Sequence, residues 1–250
     1  MASMKIIHMS DLHIADKGKP IWDTDTLAHF DAALERIETE ENIDAIFITG
    51  DIADNGSEWA YEYVDEAMAR LGIPTYVCPG NHDWIPNMKN TLKFCQMPRA
   101  VKIGSWDFIL LDSTMLDPDI PSKNRARGYI TDDDLSSLNL IADKSDCPIC
   151  ILLHHSPIEP GGWMNRKLLE NRNLFKERLS EMDNVKLVLF GHIHYPLSVT
   201  HKGVLYNSAP SIGFAFDKDL PKYHIAAGCE GYNLICINES EISINVIRIV

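Results

Sequence analysis

No apolar run in this chain approaches the ~20 residues that a membrane-spanning helix needs. The opening segment MASMKIIHMSDLH has no charged stretch followed by an apolar core, so a secretory signal is not expected. Met4 reads as the native start, with Met1 to Ser3 as an addition ahead of it. Positive charge is scarce: 23 Lys and Arg stand against 36 Asp and Glu, a net charge of −13. That balance argues against a surface that coats nucleic-acid polymers, whose affinity rests on neutralised phosphates. It leaves a small phosphorylated substrate open, because a bound metal reverses the field of an acidic site. The chain has only six cysteines, and its single C-x-x-C, Cys147 to Cys150, has no second pair and opens a strand-like run. Reduced thiols in a cytoplasmic protein are therefore expected. With no fixed-period repeat and no linker, the 250 residues read as one domain spanning 1–250.

Short apolar segments that stop at polar or turn residues are plentiful. They are KIIHMS (5–10), DAIFITG (44–50), PTYVCPG (74–80), DFILLDS (107–113), PICILLHH (148–155) and VKLVLFGH (185–192), followed by GVLYNS (203–208), YNLICIN (232–238) and EISINVIRIV (241–250). All read as strands. Helical periodicity runs from Thr26 to Glu40, and from Ser57 to Leu71 with Trp59, Tyr63, Val64, Ala67 and Met68 inward. Ser57 suits an N-cap and Gly72 a helix end. The alternation predicts an α/β fold, with the final strands forming a second, mixed sheet. The polar stretch 117–128 reads as a surface or cap loop.

The strand ends carry the chemistry. The first ends in Asp11 and His13, the second in Gly50 and Asp51, the third in Asn81, His82 and Asp83. Later strands end in His154 and His155, and in His192 and His194. Each group alone is an ordinary turn or surface feature; five at successive strand ends are not a coincidence. In an open α/β sheet such groups meet at one rim, beyond the C-terminal ends of the strands. On extended backbone, D-x-H and H-x-H place both side chains on one side. Imidazole, carboxylate and amide oxygen without thiolate suit Zn, Fe, Mn or Co. Seven or eight donors exceed one tetrahedral ion but suit two ions that share a carboxylate, the arrangement used for phosphate-ester hydrolysis.

In this order, Asp11-x-His13, Gly50-Asp51, Gly80-Asn81-His82-Asp83, His154 and Gly191-His192-x-His194 resemble the signature of the calcineurin-like metallophosphoesterases. The resemblance implies an αββα sandwich of two mixed β-sheets flanked by helices, with two metal ions (Mn, Fe or Zn). It implies Asp11, His13 and His194 as ligands of the first metal, Asp51 as the bridge, and Asn81, His154 and His192 as ligands of the second, with His155 as the alternative to His154. It further implies that His82 contacts the phosphate and protonates the leaving alkoxide. Asp83 is then expected to orient His82 and raise its basicity. The resemblance further implies that a metal-activated hydroxide would attack phosphorus in line.

Within that superfamily, GDIADNG has no tyrosine of the purple acid phosphatase kind, and His82 stands where lipid A pathway hydrolases are expected to show arginine. The chain is most similar to bacterial class III cyclic nucleotide phosphodiesterases, on GNHD, LLHHSP and GGWMNRKLLENRNLF leading to VLFGHIHYP. Trp163, Asn165 and Asn171 are then expected to line the pocket, although Asn165 stands where an acidic residue would be expected. The stretch 166–179 equally reads as an amphipathic helix with Leu168, Leu169 and Phe175 in the core. The expected function is metal-dependent hydrolysis of a small phosphodiester. The alternatives are a phosphomonoesterase or nucleotide pyrophosphatase, and a metal-binding scaffold without catalysis. The expected partner is a small phosphoester, not a nucleic-acid polymer or a membrane; the family suggests a homodimer. Residues from about 205 to 250, with Phe214, Phe216, Tyr223 and His224, are expected to supply strands and a segment that either covers the site or meets a second subunit.

Overall fold

The computed structural model describes residues 3–115, 126–238 and 241–249. Most of the stretch 117–128, read as a cap loop, lies outside the described residues. The N-terminal alternation is present as β1 (Met4–Met9), α1 (Thr26–Glu38), β2 (Ala45–Thr49), α2 (Glu58–Leu71) and β3 (Thr75–Cys78). There follow α3 (Ile85–Thr91), the hairpin strands β4 (Ala100–Ile103) and β5 (Trp106–Leu110), α4 (Asp132–Lys144), β6 (Ile149–Leu152), α5 (Arg172–Ser180) and β7 (Val185–Phe190). The chain ends with β8 (Leu197–His201), β9 (Val204–Ser208), β10 (Gly231–Ile237) and β11 (Ile242–Arg248).

These strands form two mixed sheets, ordered β11-β10-β1-β2-β3 and β4-β5-β6-β7-β9-β8. The central strands β2 and β6 are buried along their whole length, as strands covered on both faces must be. One face of each sheet meets the other sheet: Ile6, Phe47, Phe108, Leu152, Leu189 and Ile235 share a core, with Phe47 and Phe108 stacked at 4.7 Å. The outer face of the first sheet packs Ile7, Ile46, Ile48 and Val77 against α1 and α2. That of the second packs Ile151, Leu153 and Val188 against α4 and α5. The expected αββα sandwich is the observed fold. Among the described residues, no helix is long and apolar enough to cross a membrane.

Four local expectations need correction. The last strands do not go to the second sheet: β10 and β11 return to the first, where β10 pairs antiparallel with β1 from Met4–Ile237 to His8–Asn233 and so covers an otherwise open strand edge. In α2 the buried face is Ala60, Tyr61, Val64, Ala67 and Met68, while Trp59 and Tyr63 stack on each other half-buried. Ser57 precedes this helix without capping it, its hydroxyl donating to Asp16 instead, whereas Gly72 ends it in the left-handed region as expected. Finally, α5 starts only at Arg172. Leu168 and Leu169 enter the core from non-helical backbone, because the chain there bonds to Gly128 and Ser156 rather than to itself.

Candidate metal centre

The polar strand ends meet across the sandwich, not on the rim of a single sheet. Asp11 and His13 follow β1, Asp51 follows β2, and Asn81 and His82 follow β3; His154 follows β6, and His192 and His194 follow β7. Within each sheet these strands run parallel, so both sheets point their C-terminal ends at one place.

Neither D-x-H nor H-x-H is extended here. Asp11 (φ 54), His13 (φ 48), Asp51 (φ 51), His192 (φ 71) and His194 (φ 61) all occupy the left-handed region. Side chains two apart do share a side, but because of two successive left-handed turns about a buried Leu12 or Ile193, not because of a strand period. Each such residue costs about 1–3 kcal/mol, and conformations of this kind cluster at functional sites. Tertiary bonds hold them: the Asp11 N–H donates to Gly50 O (3.1 Å) and the His13 N–H to Asp51 O (2.9 Å). Two glycines allow the close approach. A Cβ on Gly80 would strike the Asp51 carboxylate and backbone nitrogen, and one on Gly191 would strike the Ser10 hydroxyl.

The expected residues come together in two groups around Asp51. Ligand atoms of Asp11, His13 and His194 lie within 4.8 Å of one another, with His13 Nε2 and His194 Nε2 3.3 Å apart. On the other side, His154 Nε2 lies 3.1 Å from both Asn81 Oδ1 and His192 Nδ1. Asp51 Oδ2 stands between, 3.5 Å from His13 Nε2 and 3.3 Å from His154 Nε2. His155 turns its Nδ1 to the Ser113 hydroxyl (3.0 Å) and its ring against His192, so His154 is the histidine that reaches Asp51.

This donor set fits metal ions. His154 donates through Nδ1 to Thr49 O (2.8 Å), and His194 through Nδ1 to Phe214 O (2.7 Å), which fixes the proton on Nδ1 and turns each Nε2 lone pair inward. His192 Nε2 is buried with no hydrogen-bond partner among the described residues. Three pairs of facing lone-pair atoms and a buried orphan nitrogen leave the cluster short of positive charge. The titration shifts agree. Burial opposes the charge of Asp51, yet His154, by charge and hydrogen bond, holds its carboxyl well below the usual range. Burial likewise opposes a charged His154, but Asp51 pushes its pKa up to about 9. A metal cation would take the place of that proton.

His82 sits at the mouth, more exposed than its neighbours, and lines two adjoining clefts. Its partner is not Asp83. His82 donates through Nδ1 to Asp54 O at 2.8 Å, and the Asp54 carboxylate is 3.4 Å away. Burial lowers the His82 pKa, but Asp54 and Asp51 outweigh it and push it up to about 9. Asp83 instead accepts from the backbone N–H groups of Ile52, Ala53 and Gly80 and from the Tyr61 hydroxyl, clamping the loops after β2 and β3 together. Burial and the charge of Asp51 push the Asp83 pKa up to about 6. Asp54, which also bonds His13 Nδ1 at 3.1 Å, is the residue the sequence reading missed; its only trace is the second aspartate of GDIAD. Of the three residues expected to line the pocket, Trp163 does. Asn165 accepts from Gly161 N–H, and Asn171 pairs with both backbone groups of Ile130.

A sandwich of mixed sheets with such a cluster at the strand ends defines a metallophosphoesterase, and the chain belongs to the calcineurin-like phosphoesterase family, whose model matches residues 4–196. It is thus a metal-dependent phosphoesterase. It is 30% identical over 217 residues to the 3′,5′-cyclic adenosine monophosphate phosphodiesterase CpdA of Escherichia coli, covering 84% of this chain and 76% of that one. It is 29% identical over 241 residues to a 3′,5′-cyclic-nucleotide phosphodiesterase of Nostoc sp., covering 93% and 87%. Among solved structures, a dimetal phosphatase of Danio rerio superposes with a TM-score of 0.67 at 14% identity, covering 99% of this chain and 96% of that one, a likeness of fold.

Proposed function

We propose that the chain hydrolyses a small phosphodiester, a cyclic nucleotide in the first instance, at a centre of two metal ions. The observation that carries this reading is the position of Asp51, one carboxylate oxygen within 3.5 Å of His13 and 3.3 Å of His154, between two otherwise separate donor groups. Asp11, His13 and His194 would hold one ion and Asn81, His154 and His192 the other, with the Asp51 carboxylate between the two groups. Such ions, Mn, Fe or Zn by the donor set, would supply an activated nucleophile and offset charge on the phosphoryl oxygens. His82, held by Asp54, lies at the mouth where it protonates the departing alkoxide. The named activities of the cyclic-nucleotide relatives support the diester over a monoester. A cytoplasmic setting belongs to the same reading, supported by six cysteines that are all free.

Turnover of bis(p-nitrophenyl) phosphate against p-nitrophenyl phosphate, with Mn returned to chelated protein, tests this. Faster metal-dependent cleavage of the diester is expected, with cyclic AMP as the next substrate. Faster cleavage of the monoester makes the protein a phosphatase. No turnover of either with two metals bound leaves a narrow substrate requirement or a scaffold without catalysis.

A further inference from the structure

The wall of the cleft beside the metal-ligand candidates is aromatic in two layers. Phe214 and Phe216 form the inner, buried one: Phe216 lies flat on His194 (centroids 4.2 Å, planes 9° apart) and Phe214 is 4.7 Å from His13. Trp22, Trp163 and Tyr223 form the outer one. Trp22 stands 4.9 Å from Phe214 and 4.8 Å from Tyr223; Phe216 is 5.1 Å from Tyr223 and 5.2 Å from Trp163. All five line one cleft together with His82 and Lys167. The outer rings come from three distant segments: the tight turn Ile21–Thr24, the 3-10 turn Gly162–Arg166, and the loop closed by the Phe216–Ile225 bridge. Phe214, Phe216 and Tyr223 lie beyond residue 196, so this wall is built partly from sequence outside the family match.

Three features set the outer rings apart from a core. Trp22 is 57% exposed and Tyr223 42%, in contact with each other at the edge of a polar site, and adjoining exposed apolar groups mark contact surfaces. Trp22 and Asp23 are the central residues of a turn closed by reciprocal Ile21–Thr24 bonds, and both have positive φ (47 and 63), where asparagine and glycine are favoured. A tryptophan at such a position is strained, and strained residues cluster at ligand clamps and active sites. The indole N–H of Trp163 is shielded from solvent and has no acceptor among the described residues, although a buried indole N–H ordinarily finds one.

We propose that Trp22, Trp163 and Tyr223 form a seat for a nucleobase carried by the phosphoester. The proposal rests on the phosphodiester reading above. With the phosphoryl group at the His–Asp cluster, the sugar spans the inner Phe layer and the base lies on the outer rings. The Trp163 N–H donates to an acceptor on the base. Stacking uses the π-face that every base has, so the seat selects nucleotides as a class over glycerol or choline esters without choosing among bases. Its contribution is about tenfold to a hundredfold in affinity.

The test compares 5′-AMP with ribose 5-phosphate, which differ only by the base, as ligands of the Mn-loaded protein. Binding is read by calorimetry and by quenching of tryptophan fluorescence. AMP is expected to bind at least tenfold more tightly. Trp163→Leu and Tyr223→Leu are expected to bring AMP to within twofold of ribose 5-phosphate while leaving ribose 5-phosphate unchanged, and Tyr223→Phe is expected to keep the preference. Unaltered ribose 5-phosphate binding also certifies that each variant is folded. Equal affinity for the two ligands in the unaltered protein, or equal weakening of both in the variants, overturns the seat. Failure of the phosphodiester reading is seen separately, as absent turnover of bis(p-nitrophenyl) phosphate.

Discussion

His82 donates through Nδ1 to the backbone carbonyl of Asp54, 2.8 Å away, and this one bond decides which nitrogen does chemistry. With Nδ1 committed, proton exchange with a substrate falls to Nε2. The ring packs edge-on against His13, 4.7 Å between centroids, with a ring nitrogen within 4.8 Å of ligand atoms of His13 and Asp51. It is not among the residues read as metal ligands, so those are expected to remain in place when it is removed. His82→Ala is expected to lower kcat about 10²–10⁴-fold, the usual contribution of a positioned general acid. Metal content, measured by elemental analysis beside the kinetics, should stay close to that of the parent. Equal losses in both would give His82 a structural role.

Asp51 calls for the opposite pairing of losses. Its Oδ2 faces His13 and His154, and its Oδ1 accepts the His82 N–H at 2.8 Å, so one carboxylate serves both donor groups and the loop after β3. Asp51→Asn keeps the shape and removes the charge. Bound Mn is expected to fall from two ions to one or fewer, with activity lost alongside. In the parent, each Mn ion at a hundred times its Kd stabilises the fold by about 2.7 kcal/mol, a rise in Tm of roughly 5–10 °C per ion for a chain of this length. The variant should show a clearly smaller rise; an equal one would take the bridging role away from Asp51.

The strand ends were legible because residue type and order are local, and an apolar run that stops at Asp, Asn or His can be read without knowing its neighbours. The conformation of those ends was not. The left-handed φ of Asp11 and His13 is imposed by bonds to Gly50 and Asp51, some forty residues away in the chain. Asp54 was missed for the same reason: an aspartate in a turn is unremarkable until His13 and His82 arrive beside it. The edge strands β4 and β8 were missed because they never bury a face, their residues alternating between exposed and half-buried. The return of β10 to β1 depends on which strand edge is left open, a property of the assembled sheet and not of either segment.

Thiol reactivity follows burial. Cys78, Cys95 and Cys150 are buried, and burial, reinforced at Cys78 by Asp112 and at Cys95 by Asp65, pushes their thiols far above the usual range. Cys147, Cys229 and Cys236 are half-buried. The thiolate is the reactive form, so a disulfide reagent at pH 8 should titrate three thiols quickly and the remaining three only after denaturation. Six thiols reacting in a single phase would mean that the core between the sheets, where Cys78 and Cys150 sit, opens under native conditions.

Asn233 on β10 reaches across the sandwich to β9, donating through its side-chain amide to Asn207 Oδ1 (2.8 Å) and to Ser208 O (3.1 Å). It is a polar link inside a largely apolar interface, and its acceptors lie just ahead of the segment that carries Phe214 and Phe216 to the metal-ligand candidates. Asn233→Ala leaves two buried acceptors without their donor, which costs about 1–3 kcal/mol for each group so stranded. Urea unfolding should therefore show a lower midpoint with an unchanged slope. Asn207→Ala alone should destabilise less, because Ser208 O keeps its donor. The double variant should fall short of the sum of the two, since residues joined by a hydrogen bond are not additive. Strict additivity would mean that the two amides act independently, and that the sheets are aligned by their apolar faces alone.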